Sequence, residues 1–381
     1  MKTTSESRAG RACLMVAHCA GMVDLVALPV WVGVLISGYG LDPQQAGGLA
    51  TLFLVGAVCA SLFVAPRSVR MPARATAAGG FAVAALAFGA VGLVDGYAAM
   101  AVLHVVAGLA AATALSVTHA TIGGSGNPHR LFAIVGFSLG VFGILFMGGV
   151  PKLVAAFGAP ALFWSFCGIM AFAACVAALA FPTSRAASTE AQRMAGKLPR
   201  AVWLAAIGVS CMALVQAMIF AFVERIGAER GFDAAAVAGV LIALGFVNLL
   251  PAPLAAFLQQ RVNPRVVLVC GPVVQAVLAL LMTQSQTFLP YAAGAACFAA
   301  VMIFTHTFAF GLLAALDPSG RAVGATPAML MTGAAIGPIL GGTVVKLSGY
   351  ASLGLAAAAI AACAVACFLP GRADRAVLTH S

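Results

Sequence analysis

Apolar runs long enough to cross a bilayer recur along this entire 381-residue chain, and they leave it little freedom of fold. A hydrocarbon layer about 30 Å thick takes about 20 residues of helix to cross, and it holds no water to satisfy the backbone. The runs are continuous rather than alternating, so they predict helices and not a barrel. Twelve spans are predicted, at 12–36, 44–65, 75–94, 97–122, 131–150, 161–181, 201–223, 234–257, 266–284, 288–316, 322–345 and 352–370. Composition agrees, with 63% hydrophobic and 8% charged residues and a mean hydropathy of +1.08. Soluble domains carry about 25% charged residues. The expected fold class is an all-α polytopic membrane protein.

Charge sets the expected orientation. With the N-terminus inside, sixteen of the twenty Lys and Arg residues fall on the inner side, and only Lys152, Arg225, Arg230 and Lys346 on the outer. Basic loops resist translocation and favour the anionic inner leaflet. Both termini are therefore expected in the cytoplasm, with the chain in a cell (inner) membrane. The net charge of +10 is spread over every inner loop, so no nucleic-acid partner is expected. The first apolar run is too long for the core of a secretory signal and reads as an uncleaved span. Ten cysteines lie mostly within spans, without paired spacing or clustered ligands, so neither a disulfide framework nor a metal site is expected.

The polar stretch from Pro182 to Arg200 divides the spans six and six. The expected domains are residues 1–182, a cytoplasmic linker at 183–200, and residues 201–381. A shift of 191 residues lays one half on the other, pairing Gly40 with Gly231, Asp42 with Asp233, Gly48 with Gly239, Gly80 with Gly271 and Gly158 with Gly349. It also pairs Arg70 with Arg261, Arg74 with Arg265 and Arg130 with Arg321. Chance would supply about 0.3 Arg pairs at one fixed shift. Asp42 and Asp233 each stand just before a span, where a carboxylate caps free helix amides.

Several segments carry a family resemblance. Span 11 contains Gly333-Ala-Ala-Ile-Gly337-Pro338-Ile-Leu-Gly341-Gly342, similar to the G-x3-G-P-x2-G-G motif that proton-coupled drug antiporters of the major facilitator superfamily carry in span 5. Span 5 here has the looser set Gly136, Gly140, Gly143, Gly148, Gly149 and Pro151. After span 2, Ala65-Pro66-Arg67-Ser-Val-Arg70 looks like that family's basic inner-loop motif, with Pro66 at the acidic position, and Arg261 and Arg265 are the basic residues of the equivalent loop in the second half. In span 4, His104-Val-Val-Ala-Gly108 resembles an R-x3-G pattern with His for Arg. The resemblance covers nearly the whole chain. It implies two parallel six-helix repeats with a solute cavity at the midplane, glycines that let helices cross and bend, and alternating access.

Setting aside every charge with a topological explanation leaves Asp24, in the middle of span 1. An acid at that depth costs about 2.5–3.5 kcal/mol to insert, so it faces a cavity or a polar partner. Gly21, Leu28, Trp31 and Leu35 share its helical face, and an aromatic beside an acid suits a cationic or amphipathic solute. The resemblance implies His104 as partner, where a ring that titrates near neutrality replaces a permanent charge. A packed histidine is the competing reading. His306, Gln216 and Asn248 are the other candidate solute contacts, with interhelical hydrogen bonding as the alternative for the two amides. His119 reads as a helix–helix or headgroup hydrogen bond. Glu224 and Arg225, with Glu229 and Arg230, read as a solvated outer rim.

No G-x4-G-K-[ST] loop occurs, so energy is expected from an ion or solute gradient, or from a separate subunit. No cofactor and no catalytic constellation are read, and the protein is not expected to be an enzyme. The expectation is a monomeric secondary transporter, with protons, a small neutral or cationic lipophilic solute and the bilayer as its partners. Efflux is preferred by resemblance. Proton symport of a small metabolite, or a transporter-like receptor without a transport cycle, are the alternatives.

Overall fold

The computed structural model describes residues 4–64, 67, 71–182, 198–258, 261–317, 322 and 326–369. Arg70, Arg321 and residues 183–197 of the expected linker lie outside them. No strand occurs among the described residues. The chain divides into two compact units, residues 1–188 and 189–381.

In the first unit, α1 (Arg8–Gly21) and α2 (Val23–Ser37) together make span 1. They are followed by α3 (Pro43–Val64), α4 (Ala73–Val91), α5 (Tyr97–Gly123), α6 (Pro128–Phe157) and α7 (Pro160–Ala180). The second unit holds α8 (Arg200–Phe220), the short α9 (Val223–Glu229), α10 (Ala234–Val247), α11 (Pro251–Leu258) and α12 (Pro264–Gln284). Then come α13 (Phe288–Leu316), α14 (Thr326–Ser348) and α15 (Ser352–Phe368). Among the described residues, ten spans are long and apolar enough to cross a membrane. The other two expected spans depart from the rule: α15 has 17 residues, and span 8 is broken into α10 and α11.

Both helix breaks have local causes. Pro251 has no N–H and crowds the residue before it, so the chain tightens there. The Leu249 and Leu250 amides donate back only three residues, to Phe246 and Val247, at 3.1 Å each. In span 1, Met22 leaves helical geometry at φ −108° and ψ 22°, and Leu25 N–H donates to Met22 O at 3.2 Å. Pro29 offers no amide to the Leu25 carbonyl one turn back, which weakens the ladder at the same place.

The two units repeat the same packing. In the first, α5 lies against α1, α3 and α4, α4 against α7, and α1 against α6 and α7. In the second, α13 lies against α8, α10 and α12, α12 against α15, and α8 against α14 and α15. Positions 191 apart also share backbone geometry. Gly40 and Gly231 have φ of 67° and 71°, and Gly158 and Gly349 of 83° and 77°, a region open mainly to glycine. Asp42 Oδ1 accepts the Gln45 amide at 2.9 Å, and Asp233 Oδ2 accepts the Ala236 amide at 2.9 Å. In the first pair the Gln45 side chain returns the bond to the Asp42 amide at 3.2 Å, a capping box with Pro43 at the first helical position.

Large apolar side chains also stand on the outside, among them Leu86, Phe157, Leu179 and Leu347, each more than 70% exposed. In water such a surface would aggregate; in lipid it is the matching face. Inside the first unit, Trp31, Phe53, Phe88, Phe163 and Phe166 form an aromatic core.

The span 11 glycines are a packing ridge. A Cβ on Gly333 would collide with the Ser210 carbonyl, on Gly337 it would come within 2.7 Å of the Met218 amide, and on Gly341 within 3.0 Å of the Met218 carbonyl. All three press on α8, and backbone cannot step aside. Gly136 and Gly149 of span 5 have open space in the same test. We predict that Gly337→Ala costs about 1–3 kcal/mol through overpacking. Gly149→Ala is expected to be neutral or to stabilise by about 0.5–1 kcal/mol through helix propensity. Thermal melting of the two variants in detergent checks the contrast; equal shifts would show that the ridge is not what holds α14 to α8.

Candidate functional site

The break in span 1 positions Asp24. It sits in the first turn of α2, where helix amides lack intrahelical acceptors and a carboxylate is favoured. The positive end of the helix dipole adds to that preference. The side chain is partly exposed, unlike its helical neighbours Ala27 and Leu28, and it has no ion pair among the described residues. An acid held this way can exchange a proton or meet a cationic group.

The expected Asp24–His104 pair does not form. His104 is fully buried; its Nδ1 donates to Met100 O at 2.7 Å, so Nε2 is left as an acceptor, and the Trp31 indole N–H donates to it at 3.3 Å. The two rings also stack, with centroids 5.4 Å apart. Both nitrogens are used, so this histidine is a neutral packing residue that ties span 4 to span 1. Trp31 is corrected with it. Though on the helical face of Asp24, it is 1% exposed and filled in by Phe53, Phe88 and Phe166, with no surface left for a solute.

In the second unit, Gln216 of α8 meets a residue the sequence reading passed over. Gln275, at the middle of α12, donates to Met212 O at 3.2 Å and to Gln216 Oε1 at 3.4 Å. The donor bond to a carbonyl assigns its amide orientation and leaves Gln275 Oε1 buried without a partner. Asn248 caps α10 at the span 8 break, and its Oδ1 is likewise buried and unpartnered. His306 donates Nδ1 to Met302 O at 2.9 Å, the i−4 pattern of His104, but no described residue meets its Nε2. The signal for Gln275 was present in the sequence, as an amide centred in an apolar run.

His119 makes the expected interhelical bond, and its partner is His18, which sequence reading did not single out. Of the inner-loop set, Arg67 lies over the Phe63 ring at 4.1 Å and Arg261 over Phe257 at 4.3 Å, each one turn along the chain. The Arg265 amide donates to its capping residue Asn263. Arg74 binds the Phe181 carbonyl through two nitrogens, at 3.1 and 3.3 Å. No group of three or more potential metal ligands occurs among the described residues.

The solvated rim expected at Glu224 and Arg225 is not what the structure holds. Both are half-buried, and Glu224 Oε2 and Arg225 Nε are sealed from solvent without hydrogen bonds. The neighbouring Tyr291 hydroxyl donates to Val223 O at 2.7 Å. Burial holds the Glu224 carboxyl above its ordinary range, with Arg225 opposing in part. An acid raised on folding stabilises the fold while protonated, and that contribution is lost as pH rises from about 4.5 through its folded value. We predict that Glu224→Gln melts with the wild type at acid pH and above it at neutral pH. Parallel melting curves across that window would overturn this assignment.

These features define a class: a polytopic helical membrane protein of two like units, with polar groups gathered at breaks in its spans. The chain belongs to the Major Facilitator Superfamily, whose family model matches residues 13–317. It is a transporter of a family that handles small solutes, not an enzyme. Among solved structures, a mutant of the nucleoside transporter NupG aligns with a TM-score of 0.77 at 13% identity, over 94% of this chain and 98% of that one. A bacterial homolog of the human lysosomal transporter Spinster aligns at 0.68 and 13%, over 95% and 93%. The human organic anion transporter MFSD10 aligns at 0.67 and 13%, over 95% and 99%. No curated protein matches the sequence.

Proposed function

We propose that this protein is a proton-coupled secondary transporter, working by alternating access and exporting a small neutral or cationic lipophilic solute in exchange for protons. Asp24 carries the reading: it is a partly exposed acid at a helix break inside the first span, without an ion-pair partner among the described residues. Such a group can take a proton or a cationic solute, and competition between the two is what exchange requires. The apolar surroundings of span 1 favour a lipophilic body on that solute. The bias of basic residues supports both termini in the cytoplasm and a place in the cell inner membrane.

One observation favours a second reading, proton symport of a small metabolite. Gln275 Oε1 and Asn248 Oδ1 are buried acceptors awaiting donors, which a neutral solute rich in N–H or O–H groups would supply. A nucleoside is such a solute, and a nucleoside transporter shares this fold.

A thermal-shift screen of solutes at two pH values identifies a ligand, because binding stabilises with the logarithm of concentration over affinity. With that ligand in proteoliposomes, Asp24→Asn is expected to reduce movement driven by a pH gradient to the level of empty liposomes, with melting unchanged. Undiminished gradient dependence would overturn the role of Asp24. Solute moving with the protons rather than against them would decide for symport.

A further inference from the structure

His18 of α1 and His119 of α5 meet ring to ring, with Nδ1 of the first 3.0 Å from Nε2 of the second and ring centroids 5.2 Å apart. Neither belongs to the Asp24 site or to the aromatic core. His18 is 6% exposed and His119 partly exposed, one turn before the end of α5 at Gly123. Phe132 of α6 packs edge-on against His119 at 5.7 Å and closes one side.

The geometry dictates the proton count. At 3.0 Å one nitrogen carries the hydrogen and the other presents its lone pair. A further proton can enter only at a far nitrogen, His18 Nε2 or His119 Nδ1, neither of which has a partner among the described residues. The bond then survives and becomes charge-assisted, which is the stronger kind. A second added proton would make both facing nitrogens donors and break the contact between α1 and α5. The pair can hold one proton, shared, and no more.

The surroundings leave that charge to the pair itself. Nearby hydroxyls are engaged, since Thr118 and Thr121 donate to the Ala114 and Val117 carbonyls of their own helix. On α1, Arg11 is paired with Glu6 at 3.0 Å, and Arg8 lies at the start of the helix; the ionisable groups between are Cys13 and Cys19. On α2, Asp24 lies beyond the break at Met22. The cations of α6 are Arg130 and Lys152, with His129 beside the first, and α7 offers only Cys167 and Cys175. Against α5, Arg74 of α4 is bound to Phe181 O, α3 carries only Cys59, and His104 of α5 is spent on Trp31 and Met100.

We infer that His18 and His119 form a proton-binding site of the first unit, separate from Asp24, which takes up a single proton shared across the α1–α5 contact. As a binding site it stands alone; its use in coupling rests on the proton-driven transport proposed above.

The test is histidine NMR of the full chain in micelles, with ¹³C- and ¹⁵N-labelled rings, titrated from neutral to acid pH and assigned with His18→Gln and His119→Gln. The expected result is one step in which both rings shift together, worth one proton, which persists in Asp24→Asn and is lost from the remaining ring in either Gln variant. Two independent steps, or rings that stay neutral throughout while the fold persists, would overturn the site. The wild-type titration decides this even if a Gln variant does not fold. Transport that ignores a pH gradient while the joint step is present would remove the coupling reading and leave the proton site standing.

Discussion

Inside a bilayer a backbone amide has no water to turn to, and the structure follows from how this chain meets that demand. Continuous helix meets it nearly everywhere. Among the described residues it gives way inside spans at Met22 and at Asn248 to Leu250, where backbone bonds tighten to three residues back and the polar side chains of Asp24 and Asn248 stand beside the break. Asp24 stands in the first turn of α2, where the positive end of the helix dipole favours a carboxylate. A helix break is thus what allows a carboxylate to be kept at this depth, and proline placement decides where the break falls.

Polar residues in the spans show why depth alone does not make a site. His104 and His306 make the same bond to a carbonyl four residues back, which settles the tautomer in each. Their second nitrogens then differ. One accepts from Trp31 in a sealed aromatic core, and the other meets no described residue. His18 and His119 satisfy each other instead. The same side chain is a packing element, an open acceptor or half of a proton pair, according to what the neighbouring helix brings within 3.5 Å.

Much of the architecture was legible in the sequence because it rests on periodic or local rules. The 191-residue repeat was readable from Asp42, Asp233 and the matched glycines, since capping and positive φ depend on a few adjacent residues. Span 11's motif was legible as a close-packing element, and α8 proved to be what it packs on. Asp24 stood out by exclusion. The Trp31 reading failed because sharing a helical face with an acid does not say whether another helix covers the residue one turn further on. Gln275 was readable as an amide centred in an apolar run, but its partners Met212 and Gln216, like His119 for His18, lie on other helices. Glu224 read as solvated because its charged neighbours in sequence were taken for neighbours in water.

The sequence by itself determined that the chain crosses a membrane many times as helix, that it is built twice over, and that an acid lies within its first span. These follow from hydropathy, spacing and capping, which act over one or two turns. Only the tertiary structure decided the partners: Trp31 for His104, His18 for His119, Gln275 for Gln216. Those pairs join residues 73, 101 and 59 positions apart, and a hydrogen bond is made or lost within about half an ångström. No pattern along the chain encodes that distance; helix packing sets it, and glycine ridges and the aromatic core set the packing.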